Sequence, residues 1–317
     1  MRKVLLATTA LVAFGGITAA NADISISGNY EWEYTQNDAG STFGDDGHIN
    51  IKGVIAADNG MTFTAMTVFG GGSDRTTGGL TDTDVATGGT GVGIEENYIR
   101  VDGDFGSVIL GDVDGNSAAS LMDGALGRNK DIETQGGLGT QATHDGTADT
   151  MVLLEGGADI IYMSPSVGGL QIGFSADLTD SDASATDGAV DMAVTYSMAG
   201  VSLFASSTSG QAFDESNFGV SASLAGLNIG VGSRSEGGTS QAKSNDVGVN
   251  YTLANGLKIA ALSASGTGRD GTTKIKASNF GASYPIVPGV KLNAESGVFT
   301  DQGVDSNYTW IAVNMSF

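Results

Sequence analysis

Apolar residues recur at every second position through much of the chain, the spacing that gives a β-strand one apolar face. In DISISGNYEWEYT, Ile24, Ile26, Tyr30, Trp32 and Tyr34 share one face, and Ser25, Ser27, Asn29, Glu31 and Glu33 share the other. Glutamates opposite large aromatics exclude a strand buried on both faces and require two different surroundings. The same alternation predicts strands in HINIKGVIAA, MTFTAMTVFG, EENYIRVDG, FGSVILGD, DIIYMSPS, GLQIGFSADLT, AVDMAVTYSMA and VSLFASSTS. It continues through SNFGVSASLA, LNIGVGSRSE, KSNDVGVNYTL, LKIAALSASG, TKIKASNFGASY, VKLNAESGVFT and NYTWIAVNMSF, which makes about sixteen strands.

The links between these strands alternate in length. Turn-forming residues at Asn59-Gly60, Asp104, Val167-Gly168, Gly200, Gly226, Ala254 to Gly256 and Pro285 to Gly289 suit tight hairpins. Longer polar links are expected at 36–46, 71–92, 113–157, 180–186, 210–215, 237–242, 267–272 and 301–305. Short turns on one rim and long loops on the other distinguish a transmembrane β-barrel from a sandwich. Several strands run for about ten residues, enough to cross a bilayer at a tilt, whereas sandwich strands are typically about five or six.

In hydrocarbon every peptide group must find a partner, so a sheet spans only as a closed barrel. The final strand must then pair with the first along its length. Thr309, Ile311, Val313, Met315 and Phe317 lie on its apolar parity, and Phe317 is expected to face the membrane at the closing seam. The expected fold is therefore an all-β transmembrane antiparallel barrel, one domain over 23–317.

Composition narrows the class further. MRKVLLATTALVAFGGITAANA has a basic start, an apolar stretch and an A-x-A frame, so residues 1–22 are expected to be a cleaved secretory signal peptide. Removing Arg2 and Lys3 leaves 12 basic against 36 acidic residues, a formal charge of −24. That balance excludes nucleic acid as a partner, since phosphate binding needs a basic patch. The chain has no cysteine, which removes disulfides and thiolate metal sites. Its 50 glycines follow no collagen period, and 40% hydrophobic residues are too many for disorder.

DISISGNYEWEY, DGDFGSVILGDVDG, ADIIYMSPSVGGLQIGFSA and the terminal WIAVNMSF resemble Gram-negative general-diffusion porins, of the alphaproteobacterial (purple-bacterial) kind. The resemblance implies sixteen strands, a homotrimer in the outer membrane, and a long third loop folded into the lumen. The link at about 113–157 occupies that loop's place. It offers Asp114, Asp123, Asp131, Glu133, Asp145, Asp149 and Glu155 as constriction acids. Facing bases would be Lys52 and Arg100, with His48, Asn50 and Tyr98 as polar lumen residues. Porins of this kind tend to cluster wall arginines, whereas this chain adds only Arg234, Lys243 and Lys258 further round. The implied partners are the lipid bilayer, lipopolysaccharide and the outer-membrane assembly machinery.

The mechanism implied needs no cofactor: a water-filled pore passes small hydrophilic solutes, and excess carboxylates favour cations. Three other readings compete. An enzyme would need a nucleophile, a base and an orienting group, but His48 and His144 are the only histidines and no G-x-S-x-G or H-E-x-x-H occurs. A Ca2+-binding surface protein finds weak support in DVDGN and in TDTDVATGG, which leaves loop-bound Ca2+ open. A substrate-specific channel would need aromatic or basic tracks, for which lumen-facing Tyr308 and Trp310 are few.

Overall fold

The computed structural model describes residues 22–38, 40–72, 93–112, 117–123, 158–178, 188–210, 213–238, 241–268, 270–301 and 303–317. Five strands come first: β1 (Ala22–Asn37), β2 (Gly40–Ala56), β3 (Thr62–Gly72), β4 (Gly93–Gly103) and β5 (Gly106–Asp112). A short helix follows, α1 (Ala118–Asp123), and then β6 (Ile160–Met163), β7 (Leu170–Ala176), β8 (Val190–Met198) and β9 (Val201–Ser209). The chain continues with β10 (Phe213–Leu224), β11 (Leu227–Gly238), β12 (Lys243–Thr252) and β13 (Lys258–Thr267). It ends with β14 (Lys274–Val287), β15 (Val290–Asp301) and β16 (Val304–Ser316).

Each strand pairs antiparallel with its neighbours in the chain, and β1 pairs with β16, so the sheet is a closed sixteen-stranded barrel as the alternation predicts. The seam registers Thr35 with Trp310 and Asn29 with Ser316. At its end Gly28 and Phe317 exchange both backbone hydrogen bonds, at 2.9 and 3.0 Å. The Phe317 ring lies so close over Gly28 that a Cβ there would stand 2.7 Å from it, and it faces outward.

The barrel is inside-out relative to a water-soluble protein. Phe174, Met192 and Phe218 are exposed on the outer surface, while Glu215, Arg234 and Glu295 are buried on the inner one. Large apolar side chains standing outward along nearly every strand suit lipid as the outer solvent. Two hairpins turn at Ala199-Gly200 and Ala225-Gly226, where both residues have positive φ; this twist matches that of the strands they join.

Several links expected to be long loops are largely strand. β1 and β2 stay paired up to Asn37 and Gly40, although 36–46 reads as a polar, glycine-containing connection. Polar residues suffice there because this part of the hairpin is held by backbone pairing, not by an apolar face. Phe43 adds side-chain contact, with ring centroids 4.9 Å from Tyr34 and 5.8 Å from Trp32. In the same way β10 begins at Phe213 and β16 at Val304, inside the links expected at 210–215 and 301–305.

Candidate channel lumen

The inner wall follows from strand parity, and one sector of it is shaped to receive the chain itself. Helix α1 lies inside the barrel against β6, β7, β8 and β9. Its Ala118, Ala119 and Met122 are buried among Ile109, Ile161, Ala193 and Phe204, all of them inward-facing. Gly173 makes the approach fit: a Cβ there would stand 2.4 Å from Met122 Sδ and 3.0 Å from the Ala118 Cβ.

Polar groups fix the start of the helix. The Ala118 amide donates to Ser175 Oγ at 2.9 Å, and the Ala119 amide donates to Asp191 Oδ2 at 3.1 Å. Thr208 donates its hydroxyl to the other oxygen of Asp191. First-turn amides have no partner within a helix, so a buried carboxylate beside them satisfies donors that burial would otherwise strand. The long loop after β5 thus enters the lumen, and Asp191, Ser175 and Gly173 hold its first part there.

A second sector, on β10 and β11, carries charge. Arg234 donates through Nη2 to Glu215 at 2.6 Å and to Glu236 at 2.8 Å, with all three side chains buried. Asn217 donates to Glu215 at 2.6 Å and to Ser206 at 3.1 Å. A third sector meets acids with neutral donors. Trp310 Nε1 donates to Glu33 at 2.7 Å, Asn279 donates to Glu295 at 3.1 Å, and the Tyr308 hydroxyl also donates to Glu295.

The wall residues singled out by sequence lie on β2 and β4. His48, Asn50 and Lys52 share the inward parity of β2; Lys52 registers with Met66, which in turn registers with Tyr98 of β4. Lys52 is exposed. His48 Nε2 lies 2.8 Å from Glu95, and its Nδ1 lies 3.0 Å from Asn29 Oδ1. Arg100 grips the carboxylate of Asp102, with Nε at 2.9 Å and Nη2 at 2.8 Å, so its charge is partly met two residues away. Tyr98 packs on the cluster that includes Ala118 of α1.

Of the expected loop acids, Asp114, Asp131, Glu133, Asp145, Asp149 and Glu155 lie outside the described residues, and Asp123 is the last residue of α1. Lys243 departs from expectation. It shares the outward parity of Asn245 and Val247 and stands on the outer face, a placement the alternation of KSNDVGVNYTL already contains. Among the described residues no group of three or more His, Asp or Glu side chains could hold a metal ion.

On the inward parity acids outnumber bases. Glu31, Glu33, Asp46, Glu96, Asp102, Asp191, Glu215, Glu236, Asp246 and Glu295 stand against Lys52, Arg100, Arg234, Lys258 and Lys291. Two of those bases are already engaged by carboxylates.

A closed barrel with apolar residues outside, polar ones inside and a loop drawn into its bore defines a transmembrane β-barrel channel. A model of the Gram-negative porin family matches residues 7–304, and the chain belongs to that family. It is an outer-membrane porin channel. Solved structures similar in fold include Salmonella typhi OmpF in complex with daunomycin, with 12% identity, a TM-score of 0.72, 93% of this chain covered and 97% of that one. A mutant of Rh. blastica porin is 18% identical with a TM-score of 0.67, covering 93% and 100%. An anion-selective porin from Comamonas acidovorans is 14% identical, with a TM-score of 0.67 and the same coverage. No curated protein matches the sequence.

Proposed function

We propose that this porin is a general-diffusion channel for small hydrophilic solutes and ions, with a weak preference for cations. The observation that carries the preference is the excess of carboxylates on the inward parity. A pore lined by one sign of charge raises the local concentration of the opposite ion. The preference is weak because the Debye length at physiological salt is about 8 Å, so mobile ions screen the wall carboxylates over a short distance. The Comamonas porin is anion-selective on the same fold, and selectivity therefore follows from each chain's own wall charges.

General diffusion is favoured over a substrate-specific channel by the state of the inner aromatics. Tyr308, Trp310 and Phe204 are buried in the wall and offer no stacking track to a solute. The chain works as a homotrimer, exported through a signal peptide over residues 1–22, whose last residue, Ala22, opens β1, and inserted by the outer-membrane assembly machinery. No catalytic step is required, and loop carboxylates contact the outer-leaflet lipopolysaccharide, with Ca2+ as a bridging ion. The test is the reversal potential across a planar bilayer under a KCl gradient, paired with liposome swelling in neutral sugars. A small cation-selective potential that shrinks with added salt, with swelling rates graded by sugar size, is expected. A clear anion-selective potential overturns the charge reading, and swelling for one sugar alone overturns general diffusion.

A further inference from the structure

The buried acids of the inner wall are met in different ways. Asp191 has an amide of α1, and Glu215 and Glu236 share Arg234. Glu295 of β15 is only 3% exposed, yet among the described residues no Lys, Arg or His lies within ion-pair range of it. Its two donors, the Tyr308 hydroxyl and Asn279 Nδ2, both serve one oxygen, Oε1. Among the described residues no donor reaches Oε2. The inward bases of this sector stand off by register: Lys258 lies across Ser283 in the row of Asn293, and Lys291 lies further along β15, opposite Pro285.

Two more acceptors beside it lack a donor. Asn279 Oδ1 and Asn293 Oδ1 are buried and unpartnered, on side chains 7% and 3% exposed. Register gathers the three groups around Gly281, which stands opposite Glu295 and projects no side chain inward. Asn279 is the next inward residue of β14, and Asn293 is the next inward residue of β15. Neither amide can be turned round to offer a hydrogen instead. Asn279 must keep Nδ2 on the Glu295 carboxylate, which only accepts. Asn293 donates through Nδ2 to Asn314 Oδ1, and Asn314 donates through its own Nδ2 to Glu31. The Glu31 carboxylate thereby fixes the direction of both amides.

A buried negative charge and three oxygens with no hydrogen to meet them are the surroundings of a cation. A water molecule would bring two hydrogens but leave the charge; a bound cation answers both. We propose that Glu295 Oε2, Asn279 Oδ1 and Asn293 Oδ1 bind a monovalent alkali-metal cation within the barrel wall. One carboxylate balances one positive charge, and the amide oxygens complete an all-oxygen set suited to a hard ion. A divalent ion is disfavoured, because it draws on several carboxylates and no such cluster exists among the described residues. The burial of all three side chains suits a bare ion better than the ammonium group of a passing solute. Held there, the ion ties β14 to β15 and, through the Tyr308 hydroxyl on Glu295, to β16 beside the closing seam. This site goes beyond the channel reading, since its ion belongs to the wall and is not in transit.

The test has two arms on the full-length protein in detergent. Wild-type crystals are soaked in thallium(I), which substitutes for potassium and scatters anomalously, and a peak in contact with Glu295 Oε2 is expected. In the second arm, thermal unfolding is followed as potassium chloride replaces choline chloride at constant ionic strength. The wild-type midpoint is expected to rise with potassium and then saturate. Glu295→Gln keeps the shape without the charge and is expected to lose that shift. No peak at Glu295, no potassium-specific rise in the wild type, or the same rise in the variant would each overturn the proposal. So would a protonated-carboxyl stretch in the wild-type infrared spectrum at neutral pH that disappears in Glu295→Gln, because the charge is then met by a proton. If the variant does not fold, the wild-type diffraction and titration decide alone. Neither arm reads conduction, so a failure of the channel reading leaves this test intact.

Discussion

The inner walls at β7–β8 and at β10–β11 obey the same parity rule and do opposite things with it. On the first, the inward positions Gly173, Ser175, Asp191 and Ala193 are small or singly charged, and they make room for α1. On the second, Glu215, Asn217, Arg234 and Glu236 fill the inward positions and bind one another. One wall receives a neighbouring segment, and the other stiffens itself. Local side-chain volume, more than charge, decides which inner surface a loop can lie on.

The contrast breaks most sharply at Arg234. Arg234→Met leaves two carboxylates buried without their cation, and the expected loss of unfolding free energy is about 3–5 kcal/mol. Denaturant titration in detergent reads it, and Glu215→Gln with Glu236→Gln in the same chain should restore most of the loss. A neutral single variant would mean the charged wall is not built as described. Gly173→Val tests the receiving wall, because its side chain enters space held by Met122 and Ala118. Overpacking there should cost about 1–3 kcal/mol and also raise conductance and current noise as α1 is displaced. An unchanged current step would show that α1 does not restrict the bore.

Asp191→Ala sharpens the same wall by removing the acceptor for the Ala119 amide and the Thr208 hydroxyl without adding volume. The expected cost is about 1 kcal/mol, the usual worth of a lost helix cap, again with noisier current. The smallest effect lies away from both walls, in the turn between β13 and β14. Asp270 accepts from the amides and hydroxyls of Thr272 and Thr273, at 2.7 to 2.9 Å, and these bonds hold its carboxyl below the usual range. A depressed value means the turn's ordering is fully present above the ordinary carboxylate range and is lost as pH falls through the depressed one. Hydrogen exchange of the Thr272 and Thr273 amides should therefore quicken only in strong acid, and Asp270→Asn should remove that dependence. Equal acid sensitivity in the variant would assign it elsewhere.

Much of the fold was legible in the sequence because a barrel between oil and water imposes alternation on nearly every strand. All sixteen predicted segments lie on observed strands, and the apolar parity of the last one does face outward. The extension of β2 back to Gly40 was not legible, since backbone pairing sustains GSTFGDDG without an apolar face. The inward placement of Lys52 and Arg100 follows from their parity, but the grip of Asp102 on Arg100 depends on rotamers that parity does not specify. The seat of α1 was hidden for another reason. Its contacts join Ala119 to Asp191, 72 residues further on, and only the register of β7 with β8 brings Gly173, Ser175 and Asp191 together. Lys243 was legible and misplaced, because its outward parity with Val247 was present in the pattern.

The seam between β1 and β16 has a kinetic meaning. All fifteen other pairings join strands that follow one another in the chain, whereas the Trp310–Glu33 contact closes over 277 residues. Relative to a ten-residue hairpin, such a closure costs about 3 kcal/mol more in chain entropy. The joint should therefore be the slow, late event of assembly, and until it forms the sheet carries two bare margins able to pair with other chains. Indole emission from Trp310, which sits on that joint, would time its zipping.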